Sequence, residues 1–358
     1  MKHSFSMRYA LPFARLFTWA LLLLPSVVCT AQTTADSIRA MIPNGNQVFR
    51  YGYQESSAAQ KQIYDDVLYT LCGFEANNYS QYYYHRCDLT CIPNTMTIQD
   101  VMHLLERMQR DIPELYILQS PIPRYDYETY VYYARISYTF TPEMYLDELH
   151  RLRLAADTIL QAVTPDMSDY EKLLAMHDGF IAWGDYGDIT GAWAGSIKGA
   201  ILNKRAICEG FARAGVYLCQ QIGIPCIYIS GQLCTSTQND EWGNHAWNYV
   251  QLDGNWYLMD LTTDGAFPGI CGYSAFLKGD PYLQENYRLT NTEGGDANLD
   301  GVYQSLPTLS ATDYDPMTIS DLDNAVYHTP CTKLLHNGHL LICRDGILYT
   351  LDGTIYND

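Results

Sequence analysis

Ala206-Ile207-Cys208-Glu209-Gly210-Phe211-Ala212-Arg213-Ala214-Gly215 is the stretch on which the fold turns. Phe211, Ala214, Gly215, Leu218, Cys219 and Ile222 recur at helical spacing, and the small residues among them allow close packing against a neighbour. Gly223 and Pro225 stop that helix, so Cys208 falls in its first turn. There the positive end of the helix dipole and unpaired backbone N–H groups favour thiolate over thiol. Lys204 and Arg205 push the same way, whereas the field of Glu209 opposes them unless its side chain turns aside.

The chain leaves the helix through Ile224-Pro225-Cys226-Ile227-Tyr228-Ile229-Ser230-Gly231, an apolar run that reads as a buried strand. Two further strands follow, His245-Ala246-Trp247-Asn248-Tyr249-Val250-Gln251-Leu252 and Asn255-Trp256-Tyr257-Leu258-Met259-Asp260. They are joined by Asp253-Gly254, the pair that suits a type I′ hairpin. If Leu252 pairs with Asn255, Trp247 lies opposite Asp260, and His245 and Asp260 become diagonal neighbours on one face. A slip of one residue would send Asp260 to the other face.

Cysteine at a helix start, histidine and then aspartate on adjacent strands supply the three roles of acyl transfer. Cys208 attacks a carbonyl, His245 holds the thiol proton and delivers it to the leaving amine, and Asp260 fixes the imidazole tautomer. Taken singly, each has a plainer explanation: a buried helix cysteine, a satisfied core histidine, a turn cap. Their order and spacing together favour the functional reading. The backbone N–H of Cys208 is one oxyanion donor; for a second, Asn203, Trp193 and Trp183 all stand upstream with nothing to choose between them. Trp242 and Trp247 are candidates for substrate contact.

Farther out, Thr141-Pro142-Glu143 opens a helix whose inward stripe is Tyr145, Leu149, Leu152, Ala156, Ile159 and Val163, ended by Thr164-Pro165-Asp166. Ser168 and Glu171 form a capping box for the next helix, on which His177 reads as a packed or capping residue rather than a ligand. Before this region, helices over Ile63–Leu71 and Thr97–Met108 and a strand over Tyr125–Phe140 make an N-terminal α/β module. The many tyrosines there read as half-buried sheet packing. Beyond residue 290, short strands at Leu334–Leu335, Leu340–Cys343 and Ile347–Leu351 make a small β tail around Asn337-Gly338 and Asp345-Gly346. Asp296, Asn298, Asp300 and Gly301 look like the opening of a calcium loop, but Pro307 stands where a bidentate acid is needed.

Composition narrows the partners. The 358 residues carry 40 acidic against 22 basic side chains, a formal charge of −18 that repels nucleic acid. Met1–Ala31 has the layout of a secretory signal: Lys2, Arg8 and Arg15, an apolar run from Leu16 to Val28, then Cys29-Thr30-Ala31 before Gln32. An uncleaved N-terminal membrane anchor is the plainer alternative, since the apolar stretch is borderline in length, and a lipoprotein anchor on Cys29 is a weaker one, since Val28 stands where a small residue is usual. No later segment is apolar enough to span a membrane. The expectation is an exported chain, periplasmic, at the cell surface or secreted, where disulfides persist. Of the 11 cysteines, Cys87 with Cys91 and Cys331 with Cys343 are local pairing candidates, while Cys219 and Cys226 lie in apolar runs and read as buried thiols. No CxxC pair or histidine cluster has metal-ligand spacing, so neither metal nor cofactor is expected.

Ala206-Ile207-Cys208-Glu209-Gly210-Phe211-Ala212, Gly223-Ile224-Pro225-Cys226, His245-Ala246-Trp247-Asn248 and Asp253-Gly254-Asn255-Trp256-Tyr257-Leu258-Met259-Asp260 together resemble the transglutaminase-like superfamily, over about residues 165–290. Arg110-Asp111-Ile112-Pro113-Glu114-Leu115-Tyr116 is similar to a segment ahead of this domain in exported bacterial members, and the final strands resemble short tails of secreted Bacteroidetes proteins. The resemblance implies an α+β fold with a papain-like core, a central helix packed on an antiparallel sheet. It matches Cys208 to the nucleophile, His245 to the base and Asp260 to the orienting acid. Glu209 departs from the small or amide residue the family often has after the nucleophile. The expected boundaries are a signal over 1–31, the N-terminal module over 32–140, the catalytic region over 141–290 and the extension with its β tail over 291–358. The expected activity is thiol-dependent hydrolysis of peptide, isopeptide or amide bonds in a protein or peptide substrate, cell-wall peptide among them. The alternatives are a protein-crosslinking transglutaminase and a non-catalytic module that binds peptide or glycan on the same fold.

Overall fold

Hydroxyl caps set where the long helices ahead of Cys208 begin. The structure, a computed structural model, describes residues 33–43, 47–74, 85–89, 91–93, 95–117, 122–126, 130–138, 140–187, 193–236, 241–265, 272–289, 302–303, 305–316, 332–336, 339–344 and 347–349. After α1 (Thr34–Met41) and α2 (Tyr51–Glu55), α3 (Ala58–Gly73) opens on the Ser57/Gln60 capping box and ends where Phe74 turns left-handed. β1 (His85–Leu89) precedes α4 (Ile98–Asp111), which opens on a second box, Thr97/Asp100. Where the sequence suggested one strand over Tyr125–Phe140, there are two: β2 (Ile122–Asp126) and β3 (Tyr130–Tyr138), antiparallel, with Tyr125 opposite Val131 and β1 on the other side of β3.

α5 (Pro142–Ile159) is capped by Thr141 with proline in its first turn. It stops at Ile159, before the Thr164-Pro165-Asp166 signal. α6 (Asp169–Ile181) opens on the Ser168/Glu171 box. A short parallel pair, β4 (Asp185–Tyr186) and β5 (Arg205–Ala206), brackets a π-type turn at Lys198–Leu202 that the sequence did not reveal.

α7 (Cys208–Ile222) ends on Gly223 at φ 76°, a left-handed C-cap that glycine adopts without strain. Then come β6 (Cys226–Ser236), β7 (Glu241–Leu252), β8 (Asn255–Met259), α8 (Leu261–Gly265), α9 (Asp280–Asn286) and β9 (Tyr287–Leu289). The sheet order is β8-β7-β6-β9, antiparallel throughout. Leu252 faces Asn255 and Asn248 faces Met259, the register expected of a two-residue loop. Asp253 at φ 49° and Gly254 at φ 79° supply the two left-handed positions that such a loop requires. Finally β10 (Thr332–His336), β11 (His339–Arg344) and β12 (Ile347–Tyr349) form an antiparallel meander.

Mixed helices and antiparallel sheets make this an α+β fold. One apolar core runs from Ile38 to Leu277 and joins the N-terminal helices to α7 and the sheet face beneath it. A second cluster, including Ile229, Trp247, Tyr249, Leu258, Tyr287, Tyr303 and Leu309, covers the sheet's opposite face. Residues Thr34–Asp358 form a single unit. Polar ties cross the expected boundary: Gln220 Nε2 donates to the carbonyls of Phe49 (3.2 Å) and Asp111 (2.8 Å), and Arg107 Nε donates to that of Val302 (2.8 Å).

Among the described residues no helix is long and apolar enough to cross a membrane. Cys91 is a free thiol, so it is not bridged to Cys87; Cys219 and Cys226 are buried free thiols. The signal segment Met1–Ala31, the calcium-like opening at Asp296–Gly301, Cys331 and the Asn337-Gly338 and Asp345-Gly346 turns lie outside the described residues.

Candidate active site

The first turn of α7 is built to leave its backbone donors unspent. Ile207 precedes the helix in an extended conformation and offers no side-chain cap, while its own N–H bonds the Ala194 carbonyl at 3.0 Å. The Cys208 side chain is partly exposed at this uncapped end. Close packing holds the helix to the sheet. A Cβ at Gly215 would collide with Asn248 Oδ1, so only glycine admits β7 so near. Asn248 is fully buried, and its amide donates to the carbonyls of Ala212 on α7 (2.9 Å) and Ile227 on β6 (3.3 Å).

That docking brings β7 under the helix start. His245 Nε2 donates to Asp260 Oδ2 at 2.7 Å, and the Cys208 side chain lies near enough to the ring to raise its pKa. Asp260 follows β8 directly, and its N–H is held by the Ala275 carbonyl at 2.9 Å. Its carboxylate is fully enclosed. Oδ1 accepts the backbone N–H groups of Thr262 (2.9 Å) and Thr263 (3.1 Å); Oδ2 also accepts the hydroxyls of Thr263 (2.6 Å) and Tyr287 (2.8 Å).

These contacts decide the charges. Burial by itself would lower the pKa of His245, but the hydrogen bonds to Asp260 and Cys208 and their negative charge outweigh it and hold the imidazole at about 9. For Asp260 burial pushes upward, yet the bond and charge of His245 and the two bonds from Thr263 keep the carboxyl below its usual range. The site at neutral pH is therefore an imidazolium between the Asp260 carboxylate and the Cys208 sulfur. Glu209, whose field opposed the thiolate in the sequence reading, is paired with Arg213 Nη1 at 3.1 Å. Arg213 also donates to the Gly195 carbonyl and lies 5.0 Å from the Tyr228 ring centroid.

The remaining candidates scatter. Asn203 is exposed, and its N–H closes the π turn on Lys198 O at 2.9 Å. The Trp193 ring packs edge-on against Tyr116 (5.5 Å) with the Lys198 ammonium 4.9 Å away. The Trp183 N–H is taken by the Ile201 carbonyl at 2.8 Å. Trp242 is half-buried beneath the Arg288 guanidinium at 3.7 Å. Trp247 is 1% exposed and stacks behind His245 at 6.2 Å, so it braces the imidazole from within instead of facing a ligand. His177 is fully buried between Asp178 (3.1 Å) and Asp264 (3.2 Å), a packed residue as expected.

Three participants escaped the sequence reading. Arg213 was legible as the i+4 partner of Glu209, and Thr263 as a hydroxyl one turn after a strand-end acid. Tyr287 had no signal, because a short strand 27 residues beyond Asp260 reaches it only through the sheet.

Residues 157–261 match the family model of the Transglutaminase-like superfamily. No curated protein matches the chain. Among solved structures, the chain resembles a transglutaminase, described as a TGase, at 14% identity and a TM-score of 0.27, over 52% of this chain and 54% of that one. A protein of Cytophaga hutchinsonii assigned as a cysteine protease matches at 19% identity and a TM-score of 0.25, over 36% and 51%. The periplasmic domain of TgpA from Pseudomonas aeruginosa, bound to ethylmercury, matches at 18% and 0.25, over 36% and 55%. The chain thus spans about half the length of each, and at such TM-scores none of these likenesses bears on its activity.

Proposed function

Because the chain carries a transglutaminase-like domain over residues 157–261, we propose that it is an exported thiol-dependent acyl-transfer enzyme that hydrolyses peptide, isopeptide or amide bonds. Cys208 is the nucleophile, His245 the acid and base, and Asp260 the group that orients the imidazole. The observation that carries this reading is His245, bonded through Nε2 to Asp260 at 2.7 Å, with the Cys208 side chain near enough to the ring to raise its pKa. Nε2 being committed to the carboxylate, Nδ1 is the nitrogen left for sulfur.

The chemistry follows from those partners. The Cys208 thiolate adds to the carbonyl carbon, and the oxyanion gains hydrogen bonding from the uncapped N–H groups of the first turn. His245 delivers its proton to the leaving amine as the C–N bond breaks, giving a thioester. It then takes a proton from water, whose oxygen attacks the thioester and releases the acid. A lysine amine in place of water would give a crosslink. The resemblance to compact members of the superfamily favours water, and the Met1–Ala31 signal favours action outside the cytoplasm on protein or peptide.

Incubating the protein with a peptide pool and a labelled primary amine tests the reading. New peptide termini that vanish in Cys208→Ala are the expected result. Amine incorporation without cleavage would replace hydrolysis by crosslinking. Iodoacetamide labelling of Cys208 no faster than an ordinary thiol, and unchanged in His245→Ala, would favour a binding module.

A further inference from the structure

The family match ends at Leu261, yet the carboxylate at its edge is completed from β9. Tyr287 is 3% exposed, and its hydroxyl donates to Asp260 Oδ2 at 2.8 Å, the same oxygen that His245 Nε2 meets at 2.7 Å. The ring is held by aromatic neighbours, with Trp247 at 4.8 Å, Tyr282 at 6.1 Å and His245 itself at 6.2 Å. β9 is fixed in turn by pairing Tyr287 with Leu233 of β6.

We propose that Tyr287 is a positioning residue, whose hydroxyl locks the Asp260 carboxylate against His245 and withdraws charge from the oxygen that the imidazole shares. The proposal rests on the triad reading above. Two physical effects are separable. Oδ1 is pinned by the backbone of Thr262 and Thr263, and Oδ2 by the hydroxyls of Thr263 and Tyr287, so the carboxylate cannot turn about its Cβ–Cγ bond without breaking several bonds at once. In addition, each donor on Oδ2 dilutes the charge that would otherwise bind the imidazolium, so the hydroxyl moderates the basicity of His245. Burial keeps the phenol of Tyr287 protonated far above its ordinary range, so it remains a donor throughout the working pH range. The ionisable groups around the pair are Cys208 of α7, Asp264 of α8, Tyr282 of α9 and Tyr287 of β9.

The test follows the ring titration of His245 by NMR in the full chain, with the signal identified by its loss in His245→Gln. Tyr287→Phe keeps the ring and removes only the donor, and it should raise the His245 titration by on the order of half a pH unit. A purely structural phenol would leave that titration where it was, and an unmoved midpoint overturns the proposal. Replacing Tyr287 by 3,5-difluorotyrosine strengthens the donor and should shift the midpoint down; if the Phe variant does not fold, this substitution decides alone, and no downward shift overturns the proposal. Iodoacetamide labelling of Cys208 keeps the two levels apart. If labelling ignores His245→Ala, the triad reading fails; if it responds while Tyr287 variants leave the titration still, only the positioning role fails.

Discussion

Protonation of His245 is tied to folding, and the tie has a predictable size and sign. The imidazole rises from an ordinary 6.5 to about 9 when the chain folds. At about 1.36 kcal/mol per pH unit, that rise corresponds to roughly 3 kcal/mol. Because the folded value is the higher one, the stabilisation is complete below pH 6.5, shrinks as pH climbs through the window, and is gone above about 9. Asp260 works in the opposite direction and elsewhere: its lowered pKa contributes stability that is lost only on acidification. Urea denaturation of wild type and His245→Gln, at intervals from about pH 6 to about pH 9.5, isolates the imidazole as the difference between the two stability curves. That difference should fall by about 2–3 kcal/mol across the range. Asp260→Asn should flatten it as well. Parallel curves for wild type and His245→Gln would refute the reasoning, since an imidazole with the same pKa in both states adds no pH dependence.

Three other outcomes are expected. Arg213→Gln leaves Glu209 uncompensated beside the thiol and should slow iodoacetamide labelling of Cys208 several-fold, whereas Glu209→Gln should change it little and the double variant should recover; an Arg213→Gln rate equal to wild type would break the electrostatic argument. Asn248→Ala removes the two bonds that tie β7 to α7 and β6 and should cost about 1–3 kcal/mol in chemical denaturation. Gly215→Ala should cost about 1–3 kcal/mol through overpacking against Asn248, despite the better helix propensity of alanine, and should slow labelling of Cys208 as the helix shifts. A neutral Gly215→Ala would mean that the interface between helix and sheet is looser than its contacts indicate.

The hairpin shows how far local chemistry reaches. Asp253-Gly254 dictates a two-residue turn, the turn dictates that Leu252 meets Asn255, and that pairing carries Asp260 to the level of Trp247, two residues from His245. Each step involves neighbours in sequence, so all of it was readable. The strand over Tyr125–Phe140 was misread for the converse reason: a run rich in β-branched and aromatic residues signals extended chain but not where it folds back, and the pairing of Tyr125 with Val131 depends on β1 and β3 as much as on its own residues. The π turn at Lys198–Leu202 likewise has no local signature.

Sequence alone determined the start and end of α7, the hairpin register, the α+β class and the three residues on which the chemistry was expected to rest, because capping, turn type and alternation act over a few neighbouring residues. Tertiary structure decided the rest. It turned Glu209 onto Arg213, sank Trp247 behind the imidazole, joined the N-terminal helices to the same core as α7, and brought the Tyr287 hydroxyl to Asp260. Those outcomes depend on which surfaces exclude water from one another and which buried polar groups find partners, and neither is a property of any short stretch of chain.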